Sequence, residues 1–377
     1  MWHRAWLRTL VWTVVAAAVI WVAVALSATP DALEDFVVYR RAAWDVRNGV
    51  SVYVTHPGEL TYEYFPWLAV ALVPLTWLPP RVTAVVWTLL VVAAVVVAAW
   101  LSAVLAGLHA WRPRYAVLVL AFLPLVWAEV VQGQVNALLM AAALAGVVAL
   151  TRGQPRTAGA CFIAAALIKP HGLIFLPWLS LCHRRVGVTA TTMVMASLVV
   201  AGWLLPDATL VDWGRRVWRD SLERATEPPN VSVAMWATRL THGRLDAVLL
   251  VLALLAVLGS VIAWFLWRRP KSSASADAAD VALLCIAMPL ISPQAWFGQL
   301  LFALPATVLI TAQWTSLRLR DRAIFAASIA LISAGAAVLA VATNQFVIDN
   351  VSLAMTFGAV GTIWTMASIR ASAISPA

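Results

Sequence analysis

Asp35 lies in the polar interval Ser27–Trp67, together with the carboxylates Asp31, Glu34, Asp45, Glu59 and Glu63. A carboxylate held beside a hydroxyl can act as a general base, taking the proton as that oxygen attacks an electrophilic carbon. Residues 31 to 48 have helical spacing, and Gly49 supplies a stop after Asn48. On that helix Asp35, Tyr39 and Ala42/Ala43 share one face. Phe36, Val37 and Trp44 suit headgroup depth. The helix is therefore expected to lie along a bilayer surface and aim one carboxylate at a cleft below. Glu34, about 100° round the helix, is expected to point elsewhere, whereas Asp31 is one turn earlier on the Asp35 face. Its place after Pro30 also suits Asp31 to a role at the helix N-terminus. The plainer alternative for Asp35 is a solvated surface acid.

Polar turns between apolar runs form a second constellation: Gln134 with Asn136, Lys169 with His171, and Gln294 with Trp296. Polar groups at membrane depth are costly and mark substrate paths. Lys169 sits between two half-length apolar pieces, where it can pair with a phosphate aided by nearby helix N-termini. The alternative is a lysine that snorkels to the interface. His171 can assist proton transfer or serve structure alone. Further on, Trp213, Trp218 and Trp236 alternate with Arg215, Arg216, Arg219 and Arg224. Guanidinium forks suit phosphate, and the same pattern suits an anionic lipid surface. No His/Cys/Asp spacing resembles a metal site, so neither metal nor cofactor is expected. Cys161, Cys182 and Cys285 sit in apolar runs without CxxC spacing and read as packing residues.

The elements that position these residues follow from composition. The 377 residues are 63% hydrophobic and 11% charged, against about half apolar and a quarter charged in soluble domains. An all-α polytopic membrane protein is expected, as one integral-membrane domain over residues 1–377. The net charge of +9 falls mostly in short loops, where it sets topology; nucleic acid is excluded as a partner. Leu7–Leu26 reads as a retained first span that places the 27–67 loop outside. Pro66–Leu78 is too short to cross and reads as re-entrant. Val82–Leu108 returns to a basic turn at Arg112 and Arg114. Ala116–Val131 and Ala137–Leu150 flank the Gln134 turn. Ala158–Ile168 and Leu173–Cys182 form a hairpin broken at Lys169-Pro170-His171-Gly172. Val186–Leu205 leads to a second outer loop, 206–246, and Ala247–Trp267 returns. Ala279–Ile291 and Phe297–Ala312 flank the Trp296 turn, and Ala323–Ala342 and Val351–Ser368 close the chain. With the half-helices this makes about twelve crossings.

The run Asp35-Phe36-Val37-Val38-Tyr39, then Gly49 and Tyr53, then Tyr64-Phe65-Pro66, resembles the first-loop signature of glycosyltransferase family 87. Gly133-Gln134-Val135-Asn136, Ile168-Lys169-Pro170, and Ser292-Pro293 followed by Trp296 are similar to later motifs of that family, in the same order. The likeness spans roughly Leu7 to Leu304. It implies a GT-C-type fold and a polyprenol phosphate sugar donor, with Asp35 as the base. The donor sugar implied is mannose or, as the rival, arabinofuranose; a non-enzymatic lipid-linked-sugar flippase is the reading outside catalysis. The expected substrate-binding set is Tyr39, Tyr64, Gln134, Asn136, Lys169, His171, Trp296 and Gln299. The expected partners are the donor, a glycolipid or lipoglycan acceptor, and membrane lipid, at the outer face of a plasma membrane. The chain departs from the family at Gly298 and Gln299, where members often carry paired histidines.

Overall fold

A computed structural model describes residues 2–29, 32–54, 56, 60–108, 113–215, 230–233, 235, 259, 273–292 and 294–374. Among these residues the regular structure is helical, with an isolated antiparallel β-bridge between Asn230 and Trp296. The helices are α1 (Trp2–Ala28), α2 (Glu34–Arg47), α3 (Pro66–Leu72), α4 (Pro80–Leu105), α5 (Pro113–Gln132), α6 (Asn136–Thr151) and α7 (Pro155–Ile168). They continue with α8 (Phe175–Cys182), α9 (Arg184–Leu204), α10 (Leu210–Trp213), α11 (Ala274–Ile291), α12 (Leu304–Ala312), α13 (Leu319–Leu339) and α14 (Gln345–Ile374). Tight 3₁₀ turns at Val73–Trp77, Pro170–Ile174 and Phe297–Ala303 extend or link the short helices.

Five of the described helices are long and apolar enough to cross a membrane: α4, α9, α11, α13 and the Val347–Ser368 part of α14. The α5–α6 pair, bent by 115° at the Gln134 turn, adds a sixth if it is taken as one span. About twelve crossings were expected on length grounds; the described residues supply five or six, and the expected span Ala247–Trp267, Gly259 apart, falls outside them. The chain is thus a multi-pass membrane protein, and several other apolar helices among the described residues, α3, α7 and α8 included, are shorter. Among these, α3 and α7 each end at a proline-bearing turn, where the α-helical ladder loses a donor. The expected break at Lys169 is present: its backbone is extended, at φ −147° and ψ 138°, between α7 and the next turn.

Two cores organise the packing. The larger surrounds α6, which is apolar on every side and therefore central. Its Leu139, Met140, Ala143 and Leu144 are buried in one cluster with Phe162 of α7, Trp178 of α8 and Cys285 of α11. Gly146 has no side chain because the Phe162 ring fills that space; a Cβ there would lie 2.7 Å from the ring. The smaller core is aromatic and belongs to the first loop, where Tyr39, Tyr53, Tyr62, Tyr64, Phe36 and Trp87 pack together. This second core fixes α2 against the membrane helices.

α2 departs from expectation in two ways. It starts at Glu34, not Asp31, because Leu33 adopts a left-handed conformation, φ 62°, that stops the helix growing backwards. The Leu33 N–H is held by the Val131 carbonyl at 2.6 Å, so the loop and the end of α5 are joined there. Asp31 lies outside the described residues. Phe36, expected at headgroup depth, instead stacks on Trp87 at 5.0 Å and 17° and is buried. Val37 and Trp44 are exposed, as interface residues are.

Candidate active site

The first turn of α2, the Gln134 turn, the Lys169 break and the Trp296 turn converge on one cavity of about 500 Å³. Asp35, Tyr64, Gln134, Lys169, His171, Trp296 and Gln299 line it. Tyr39 and Asn136 stand just behind the wall and hold lining residues in place. Glu34 lines the cavity as well, contrary to the expectation that it would point away. The cavity wraps around the end of α2, so two residues about 100° apart can both reach a concave wall.

A continuous polar chain crosses the floor. Gln134 donates through Nε2 to Oδ2 of Asp35. Its own Oε1 accepts from Asn136 Nδ2 at 3.3 Å. Asn136 Nδ2 also donates to Glu129 Oε2 at 2.8 Å, and Asn136 Oδ1 accepts from Lys169 Nζ at 2.9 Å. The second oxygen of Glu129 accepts from the backbone N–H of Ala137 at 2.8 Å. That N–H belongs to the first turn of α6, which has no helical acceptor of its own.

Lys169 is only 5% exposed. It does not snorkel to water; its ammonium lies over the Tyr64 ring at 5.5 Å and is attracted by Asp35, Glu129 and Glu63. Tyr64 and Tyr39 share a 2.7 Å hydrogen bond between their hydroxyls. Burial pushes both phenols well above their ordinary range, and the charge of Asp35 adds to this. Both therefore stay protonated, and one hydroxyl donates to the other.

Several cavity groups lack protein partners among the described residues. Both ring nitrogens of His171 and the side-chain oxygens of Gln132, Gln294 and Gln299 are buried without a hydrogen bond. Buried polar atoms are otherwise almost always satisfied, so this cluster marks a place for a hydroxyl-rich or charged ligand. The Trp296 wall is held by Asn230, whose Oδ1 accepts from Ala295 N at 3.1 Å, and by Val231 N donating to Ala295 O at 2.8 Å. Trp213 closes another side; it packs on Phe65 at 5.3 Å and donates to the Glu63 carbonyl at 3.2 Å. The other tryptophans and arginines singled out in the second loop, Trp218, Trp236, Arg216, Arg219 and Arg224, lie outside the described residues.

A family model described as "Glycosyltransferase family 87" matches residues 62–293, over half of the chain. The chain belongs to glycosyltransferase family 87. It is accordingly a membrane glycosyltransferase. The matched residues include Tyr64, Gln134, Asn136, Lys169 and His171, whereas Asp35, Tyr39, Trp296 and Gln299 lie beyond them and join the site through the fold. The chain is 28% identical over 325 residues to the "Polyprenol-phosphate-mannose-dependent alpha-(1-2)-phosphatidylinositol mannoside mannosyltransferase" of Mycolicibacterium smegmatis (strain ATCC 700084 / mc(2)155). That alignment covers 78% of this chain and 72% of the relative. No solved structure gives a significant match.

Sequence reading missed Glu129, the buried acid that organises the floor. It is the sole carboxylate between Glu63 and Asp207. A lone acid within an apolar run is itself a functional signal, and it was available in the sequence. Gln132 and Gln299 also line the cavity, the latter as expected. No cluster of three or more potential metal ligands occurs among the described residues.

Proposed function

We propose that this transferase moves mannose from a polyprenol phosphate to a glycolipid or lipoglycan acceptor at the outer face of the plasma membrane. One observation carries the reading: Asp35 and Lys169 face the same cavity and are linked through Gln134 and Asn136. A single-displacement transfer needs a carboxylate at the attacking oxygen and a cation at the departing one. Asp35 takes the acceptor hydroxyl proton as that oxygen bonds to the anomeric carbon. The bond from that carbon to the phosphate oxygen breaks, and the lipid phosphate leaves toward Lys169. Attack opposite the leaving group inverts the centre, so a β-linked donor gives an α-linked product.

The other residues divide by their free atoms. Gln134 orients Asp35, and Asn136 is fully engaged behind the wall, so its role is to position Lys169 and not to touch sugar. Gln299, Gln294 and His171 keep unpartnered polar atoms in the cavity and are the sugar contacts. Trp296 offers a ring face to the pyranose, while the Tyr64 ring lies under the Lys169 ammonium. The mannosyl donor follows from the relative's name, and Gly298 and Gln299 replace the paired histidines expected there.

The test is consumption of radiolabelled donor by purified protein in detergent with lipid acceptors. Turnover of polyprenol phosphate mannose supports the reading. Turnover of the arabinofuranose donor alone replaces the sugar and keeps the mechanism. Consumption of neither, with transbilayer movement of the donor in vesicles, would replace transfer by flipping.

A further inference from the structure

A second cavity, about 480 Å³, lies on the far flank of α2 and shares no described lining residue with the first. It is bounded by the end of α1, by α2 and by the start of α4, and Arg40, Arg41 and Arg81 all line it. Among the described residues no acidic side chain does so. We infer that this cleft binds the phosphodiester of an anionic phospholipid.

Three observations point to an anion. Arg40 is half-buried, and its Nε is fully buried without a hydrogen-bond partner among the described residues; a desolvated guanidinium N–H demands an acceptor. Arg81 stands in the first turn of α4, which carries no acid. A cation there opposes the positive end of a 26-residue helix, and a bound anion relieves both. Arg41 is anchored by His56 at 3.2 and 3.3 Å, and His56 pairs with Asp45 at 2.9 Å. That anchor keeps Arg41 at the cleft edge, while its guanidinium lies 5.3 Å from the Trp44 ring centre.

The rest of the cleft identifies the anion as a lipid. Leu26, Leu33, Val37 and Ala84 make its floor. On the Ala28 face of α1, Val24 and Trp21 are exposed apolar side chains one and two turns from the cleft, a path for an acyl chain. The hydroxyls of Ser27 and Thr29 are turned onto the Val24 and Ala25 carbonyls, leaving the guanidinium groups as the donors. A free phosphate would have no use for the apolar floor.

Native mass spectrometry of the detergent-purified protein tests this, with phosphatidylglycerol, phosphatidylcholine and inorganic phosphate as probes. One phosphatidylglycerol is expected to bind with preference over phosphatidylcholine. Arg40→Gln and Arg81→Gln should each weaken it about fivefold, the worth of one basic side chain against anionic lipid. Arg81 is exposed, so its variant is not expected to disturb folding. Arg47, exposed on the same helix as Arg40 but outside the cleft, is the control, and Arg47→Gln should bind as the parent does. An equal loss in Arg47→Gln would reduce the effect to a general basic surface. Unchanged binding in the Arg40 and Arg81 variants, or equal binding of phosphatidylcholine, would overturn the inference. Displacement of the lipid by millimolar inorganic phosphate would overturn the lipid as the ligand. None of these outcomes depends on sugar transfer.

Discussion

Lys169 reaches Asn136 across the α6–α7 interface, with Nζ 2.9 Å from Oδ1. Asn136 is turned to present that oxygen because its amide nitrogen is drawn to Glu129 at 2.8 Å. The ammonium is thus fixed by an acid it does not touch directly. At 5% exposure it is a preorganised charge at the cavity wall, the kind of group that stabilises a leaving phosphate without moving.

Lys169→Ala is therefore expected to raise the donor KM by about tenfold to a hundredfold, the loss of one charge-assisted contact. The acceptor KM should change little. Lys169→Arg should recover only part, since a guanidinium fork does not fit a site shaped for a compact ammonium. Steady-state kinetics with each substrate varied in turn decide it. An unchanged donor KM and kcat in Lys169→Ala would remove the phosphate role.

Glu129→Gln probes the support behind that charge. Both carboxylate oxygens accept hydrogen bonds, from Asn136 and from Ala137 N. A glutamine keeps one acceptor and turns an NH₂ toward a donor, at an expected cost of about 1–3 kcal/mol. If the role is positioning, Glu129→Gln should lower donor use in the same direction as Lys169→Ala, and the double variant should lose less than the sum. Fully additive losses in that double-mutant cycle would show that Glu129 acts on stability alone.

The site was readable in the sequence as far as short-range chemistry reaches. Gln134, Lys169 and Trp296 announced themselves as polar residues or aromatics at the ends of apolar runs, and they meet in one cavity. Contacts fixed by tertiary packing were not readable. Phe36 has the type and place of an interface residue, and only the distant Trp87 turns it inward. Asn136 looked like a sugar contact because nothing local shows that Glu129 already occupies its amide. The helix start at Glu34 depends on Leu33 being held by Val131, and helical spacing cannot report that.

Gly133 joins the two halves of the site. It has φ +70°, and a Cβ added there would lie 2.9 Å from Phe36 Cβ and 3.3 Å from both Leu33 Cδ2 and Trp87 Nε1. Its carbonyl accepts from Trp87 Nε1 at 2.8 Å. Gly133→Ala adds left-handed strain of about 1–2 kcal/mol and overpacking of about 1–3 kcal/mol. Gly153→Ala is the control, with φ +68° and nothing within 4 Å. Thermal unfolding in detergent should show the larger loss at Gly133, with reduced transfer as α2 shifts from Gln134. Equal losses at both positions would mean that the contact with α2 contributes nothing.

The last prediction concerns the base. Asp35 and Glu34 both line the cavity, so position alone does not separate them. Their surroundings do. Asp35 is half-buried, is gripped by Gln134 and lies close enough to the Tyr39 and Tyr64 phenols to raise both. Glu34 is exposed, free to hydrate and poorly placed to hold one geometry against an acceptor hydroxyl. Proton removal needs a fixed carboxylate within hydrogen-bond reach. Asp35→Asn should accordingly reduce kcat by about 10²–10⁴-fold, the usual contribution of general-base catalysis. Donor binding should survive, because the Lys169–Asn136–Glu129 contacts are untouched, although the ammonium loses the attraction of Asp35. The substituted amide can still accept from Gln134 through its carbonyl oxygen, so the fold should hold, as thermal unfolding would confirm. Glu34→Gln should retain most activity. Near-normal turnover in Asp35→Asn, or a collapse in Glu34→Gln, would move the base and require a different mechanism within the same family.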